Sequence, residues 1–149
     1  MPSWLNNLGT SFQRCFNHTG DLADISDAVS HYQKAVNLTP EGHAYMPSWL
    51  NNLGNLFQSR FNHIGDLADI SNAISYQQKA VNLTPEDHVD MPSRLSNLGN
   101  SFQICFDFTG DLADISDAIS YKQKAVNLTP EDHAYTVAQK TVPMFGHLV

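Results

Sequence analysis

The chain is written three times over. Met1–Tyr45, Met46–Asp90 and Met91–Tyr135 are copies of one 45-residue block that align without an insertion, and each neighbouring pair agrees at 33 of 45 positions. A fixed period between 20 and 50 residues is the mark of an array in which one supersecondary unit stacks on the next. Each unit has an apolar face that it cannot bury alone, so about three units is the minimum for a stable strip of core. Residues 136–149 leave the repeat as a separate tail.

Inside a block the apolar period is helical. Leu5, Leu8, Phe12, Cys15 and Phe16 recur at three and four, which predicts a first helix over residues 2–18, entered through Pro2 and closed at Gly20. Asp21 then stands where a helix N-cap is needed, with Asp24 and Asp27 near the positive end. Leu22, Ile25, Ala28, Val29, Tyr32, Ala35, Val36 and Leu38 form the expected buried face of a second helix over residues 22–38. Thr39-Pro40 ends it, because the residue before proline is pushed out of the helical region. The other copies predict helices over 47–64 and 67–83, then 92–109 and 112–128. Gly9, Gly54 and Gly99 fall mid-helix, where glycine costs about 0.5–1 kcal/mol relative to alanine. Their fixed phase predicts a close helix approach, with Ala28, Ala73 and Ala118 as the complementary small residues. The expected fold is all-α: a right-handed superhelical solenoid of three antiparallel helix-pair repeats.

Charge and hydropathy exclude several partners. A net charge of −7 with eight scattered Lys and Arg residues argues against nucleic acid. No apolar run reaches the roughly 18 residues of a membrane span, and Met1–Asn7 has neither the charge nor the apolar stretch of a signal peptide. The expectation is a cytoplasmic protein with Cys15 and Cys105 reduced, both on the apolar stripe and two repeats apart, too far to bridge. The Asn-X-Thr triplets at Asn17, Asn37, Asn82 and Asn127 are then glycosylation sites by spelling only.

Leu5, Leu8-Gly9 and Phe12, followed by Ala28, Tyr32, Ala35 and Pro40, resemble the signature of the tetratricopeptide repeat. The later blocks match at Leu53-Gly54, Phe57, Ala73, Ala80 and Pro85, and at Leu98-Gly99, Phe102, Ala118, Ala125 and Pro130. Two features depart from the pattern. The second-helix aromatic is replaced by Gln77 and Lys122, and the period is longer than the family's usual 34 residues. The long form is similar to repeats of fungal multidomain proteins and of kinesin light chains. The resemblance covers residues 1–135 and implies scaffolding or peptide recognition, with the first helices lining a concave groove.

Carried onto this chain, that groove takes the first-helix face opposite the packing stripe: Ser3, Asn6, Thr10 and Gln13, then Ser48, Asn51, Asn55 and Gln58, then Ser93, Ser96, Asn100 and Gln103. The strip is neutral, built from hydroxyls and amides that donate to and accept from a peptide backbone. Asn55 and Asn100 match asparagines of the family's carboxylate-binding groove, but its lysines are missing, so an extended internal peptide fits better than a chain terminus. An exposed polar helix face also occurs with no ligand at all. Asn7, Asn52 and Asn97, identical in all copies, read as structural links between repeats.

No catalytic, cofactor or metal site is expected. His43, His88 and His133 recur beside carboxylates, but zinc needs ligands converging about 2.0–2.3 Å from one point, and stacked linkers hold theirs a helix pair apart. They read as linker residues bonding a neighbouring loop. The expected function is a non-catalytic protein–protein interaction module binding a protein or extended peptide. The alternatives are an architectural piece of a longer array that self-associates end to end through uncapped faces, or the regulatory repeat segment of a larger signalling protein. The missing polar caps point to a fragment, unless Val142-Pro-Met-Phe lies across the open end.

Overall fold

The computed structural model describes residues 10–129 apart from residues 12 and 16. The described positions between 10 and 19 are helical, and five further helices follow: α1 (Leu22–Asn37), α2 (Met46–Ile64), α3 (Leu67–Leu83), α4 (Met91–Thr109) and α5 (Leu112–Leu128). No strand occurs among the described residues. Expectations for Ser3, Asn6, Asn7, Gly9, His133 and the tail at 136–149 lie outside them, as do those for Phe12 and Phe16.

The sharp turn inside each repeat is made by two residues. Gly20, Gly65 and Gly110 hold φ of 72°, 79° and 76°, the left-handed region that glycine enters without a Cβ clash. The Gly65 and Gly110 amides donate to the carbonyls of Phe61 and Phe106 at 2.7 Å. Asp21, Asp66 and Asp111 follow at once as N-caps, each side chain accepting the amide two residues on at 3.0 Å. So short a connection folds the second helix back along the first. Asp69, early in α3, meets Arg60 late in α2, and Ala80, late in α3, packs with Met46 and Leu50 at the start of α2. The pair is antiparallel.

The longer connection between repeats is equally regular. Thr39, Thr84 and Thr129 donate their hydroxyls to the carbonyls of Ala35, Ala80 and Ala125, tying off the end of each second helix. His43 and His88 amides donate to Pro40 and Pro85 carbonyls, and Met46 and Met91 amides donate to the two histidine carbonyls, all at 3.0 Å. Repeats then meet through bonds of constant stride. Gln33 donates to the Tyr76 hydroxyl and Tyr121 to Gln78, both 43 positions apart, while Arg94 reaches Ser48 and Asn97 reaches Asn51, 46 apart.

The core is apolar where the helical period placed it. Ile25, Ala28, Val29 and Tyr32 of α1 form one cluster with Leu53, Leu56, Phe57 and Phe61 of α2 and with Ile70 and Ala73 of α3. Val81, Met91, Leu95, Leu98 and Ala125 form the next. Fully burying one such leucine or isoleucine contributes about 1.5–3 kcal/mol. Tyr76 stacks on Phe57 and Tyr121 on Phe102, with ring centroids 5.6 and 5.7 Å apart.

Three expectations are corrected. Leu22 and Leu38 are 43% and 63% exposed rather than buried. A helical Cβ leans toward the N-terminus, so the Leu22 side chain overhangs the first turn; α1 ends at Asn37, and Leu38 is its C-cap. Cys15 is exposed and Cys105 only half-buried, because this register lies at the rim of the first helix, facing the cap of the second. The His43 and His88 rings bond within their own linkers, where each Nδ1 accepts the amide two residues on.

The mid-helix glycines do mark close approach. A Cβ at Gly54 would stand 2.5 Å from Gln77 Cγ and 3.1 Å from the Ala73 carbonyl oxygen; one at Gly99 would stand 2.8 Å from Lys122 Cγ and 3.2 Å from the Ala118 oxygen. Gln77 is enclosed on all sides and Lys122 is not. Overpacking costs about 1–3 kcal/mol, which exceeds the gain in helix propensity. Gly54→Ala is therefore expected to lower the urea midpoint clearly, and Gly99→Ala to lower it less because Lys122 can swing away. Equal midpoints for both variants would contradict the close contact.

Candidate functional site

The polar row expected on the first helices is brought to one register. Thr10, Asn55 and Asn100 occupy equivalent positions, as do Gln13, Gln58 and Gln103 one turn on. Thr10, Gln13, Asn51, Asn55, Gln58 and Ser96 are half-buried; Asn100 and Gln103 are exposed. Asn6 lies outside the described residues.

The second helices hold the row in place. Their contributions come from Tyr32, Gln77 and Lys122, which occupy one position of the three copies. The Tyr32 hydroxyl and Thr10 Oγ1 are 2.5 Å apart. Gln77 Nε2 donates to Asn55 Oδ1 at 2.8 Å and to Gln58 Oε1 at 3.5 Å. Lys122 Nζ donates to Gln103 Oε1. At Gly54 and at Gly99 the residue facing the glycine sends its polar tip to the row. The glycine permits the close approach, and the close approach sets the reach.

Gln77 is the most constrained of the three. It is fully buried, and its amide oxygen accepts a 2.5 Å hydrogen bond from Ser101 Oγ of α4. It thereby links two helices of its own repeat to the first helix of the next. A buried amide without partners costs several kcal/mol, so these bonds are what make a glutamine tolerable there. Asn97 also crosses the junction, its Nδ2 donating to Asn51 Oδ1 at 3.4 Å.

At the other rim of the first helices the register of residues 15, 60 and 105 faces the second-helix carboxylates. Arg60 makes a two-pronged ion pair with Asp69, at 3.0 and 2.8 Å, and lies over the Phe57 ring. Cys105 takes the equivalent place beside Asp114. Burial, together with the carboxylate next to it, pushes its thiol up to about 11. That is the wrong direction for a nucleophile at neutral pH.

Between the two linkers lies an open cleft of about 380 Å³ edged by Glu41, His43, Ser48, His88 and Arg94. Arg94 is already held by Thr84 Oγ1 at 2.8 Å, Ser48 Oγ at 2.9 Å and Asp90 at 3.5 Å. Trp49 fills the equivalent place in the preceding repeat, stacked on His43 with centroids 5.5 Å apart. Among the described residues no three His, Cys, Asp or Glu side chains converge on a point that could hold a metal ion. No helix among them is long and apolar enough to cross a membrane.

The helical period alone located the row but missed its anchors. The signal was present in a difference between the copies: where the first has Tyr32, a polar residue at 77 or 122 lies opposite the glycine, within reach of the facing amides.

Two measurements follow from this geometry. Gln77→Leu keeps the volume but removes the partners of Asn55 and Ser101; a buried donor left unsatisfied costs about 1–3 kcal/mol. Adding Ser101→Ala is expected to recover part of that loss, so the two substitutions are non-additive in a urea-denaturation cycle, and strict additivity would count against the bond. Alkylation of Cys105, measured in a Cys15→Ser background, is expected to show a midpoint near pH 11 rather than at the ordinary thiol value of 9.0. Compared with known proteins, the chain matches no protein-family model and no curated protein sequence.

Proposed function

We propose that this chain is a non-catalytic interaction module of the tetratricopeptide type. Its three helix pairs, in blocks 1–45, 46–90 and 91–135, continue as a right-handed solenoid whose first helices line a concave groove. The ligand is an extended peptide or a protein segment in a cytoplasmic setting. One observation carries this: an accessible row of amides and hydroxyls is held at fixed register by a second set of polar side chains. A solvated helix face needs no such anchoring. A binding surface gains from it, because side chains already held in place lose less entropy when a ligand arrives.

The chemistry of the row defines the ligand. Thr10, Asn55, Gln58, Asn100 and Gln103 offer neutral donors and acceptors, which suit a peptide backbone, and Lys122 adds one cation at the third repeat. That asymmetry favours a peptide with an acidic residue near the end that lies on α4.

A peptide selected against the intact chain from a random displayed library tests this by fluorescence anisotropy. Asn100→Ala with Gln103→Ala is expected to weaken it about tenfold or more, an effect of about 1.4 kcal/mol, with helical circular dichroism unchanged. Undiminished binding by the double variant would move the site off the row.

A further inference from the structure

At the start of its first helix the third copy departs from the other two: Trp4 and Trp49 become Arg94. In the second repeat Trp49 is 6% exposed and stacks on His43. In the third, a slim guanidinium stands where an indole would be, and beside it lies the cleft of about 380 Å³ between the two linkers. Every residue lining that cleft falls between 41 and 94. Its volume is within the roughly 300–1,000 Å³ of small-molecule sites.

The arginine is positioned by its neighbours but not neutralised by them. Arg94 is 5% exposed, and its Nη1 and Nη2 donate to the neutral hydroxyls of Thr84 and Ser48. These bonds use two of the five N–H donors of a guanidinium. The carboxylate paired with it, on exposed Asp90, stands off at 3.5 Å. The rest of the lining adds donors. His88 and His43 each accept a backbone amide at Nδ1, so each neutral ring keeps its proton on Nε2. Ser48 Oγ accepts from Arg94 and retains its own O–H to give. Pro47 and Ser48 belong to the opening turn of α2, which has no side-chain cap, and a helix start favours negative charge.

We propose that this cleft binds a small organic acid, its carboxylate on Arg94 and its short apolar body against Pro47, Leu83 and Pro85. One buried cation matches one negative charge. The carboxylates of Glu41, already paired with Lys79 at 3.3 Å, and of Asp90 disfavour a dianion such as phosphate. The site lies at the starts of α2 and α4 and uses neither Asn100 nor Gln103, so it stands independently of the groove.

Butyrate, titrated into the full chain at constant ionic strength, tests it. The chain has three arginines, Arg14, Arg60 and Arg94, so their side-chain Nε–H signals in a nitrogen-15 NMR spectrum report the site directly. One signal is expected to move and saturate, and to be the one missing from the spectrum of Arg94→Trp. That substitution restores the residue of the other two copies, so helical circular dichroism is expected to stay unchanged. Butyrate binding, read by saturation transfer to the ligand, is expected to fall about tenfold or more with the loss of a charge-assisted hydrogen bond. Arg94→Gln, which keeps hydrogen bonding without the charge, is expected to show the same loss. Butyramide and inorganic phosphate are expected to bind more weakly than butyrate, and Asn100→Ala with Gln103→Ala to leave butyrate binding as it is. A response that never saturates, equal binding of butyramide, tighter binding of phosphate, or full binding by both Arg94 variants overturns the proposal. So does a site that takes a glutamate-bearing peptide but not the free acid.

Discussion

The polar row depends on how closely the two helices of a repeat approach at the mid-helix glycine. At Gly54 the backbone of α3 comes so near that the Ala73 carbonyl and the Gln77 side chain occupy the space a Cβ would need. That proximity buries Ala73 and Ala118 almost completely and aims the residue four positions later across the first helix. Interiors packed at crystal-like density transmit such a constraint directly. A wider spacing would leave Gln77 short of Asn55, and the polar row would lose its anchors. Glycine's cost in helix propensity is offset by what the contact places.

The same constraint explains why a polar residue is tolerated at the centre of the molecule. Gln77 has no exposed surface, yet both ends of its amide are bonded, to Asn55 and Gln58 within the repeat and to Ser101 beyond it. A fully satisfied buried amide adds little net stability but penalises every other register, because a shifted neighbour would leave it unpaired. The apolar contacts supply most of the energy, and the polar ones fix which residues meet. The exposed Lys79–Glu41 and Lys124–Glu86 pairs at 3.3 Å recur with the repeat, but surface ion pairs of this kind contribute about 0–1 kcal/mol.

Much of this was legible in the residues. Helical period, Gly-Asp turns and Thr-Pro stops placed every described helix to within a residue, because each is a local steric or hydrogen-bonding rule acting on consecutive residues. Side-chain fate was legible only where one helix decides it. Leu22 and Leu38 lie on the apolar stripe by angle, but whether a neighbour extends far enough to cover them depends on where helices end relative to one another. Cys15 and Cys105 failed for the same reason. The candidate row was found by its polarity; its anchors were not, because the bond from Gln77 to Asn55 crosses 22 positions and needs the helix spacing to be known.

The differences among the three copies carry as much information as their identities. Where α1 presents Tyr32 and Val29, the next first helix answers with Leu56, in the same apolar cluster. Where α3 presents Gln77, α4 answers with Ser101. The substitutions are paired across the junction, so the junctions are not interchangeable. Leucine opposite Gln77 would strand a buried carbonyl oxygen, and serine opposite Tyr32 would leave apolar space unfilled. A repeat of this kind can therefore keep most of its residues constant and still encode the order of its units in two positions.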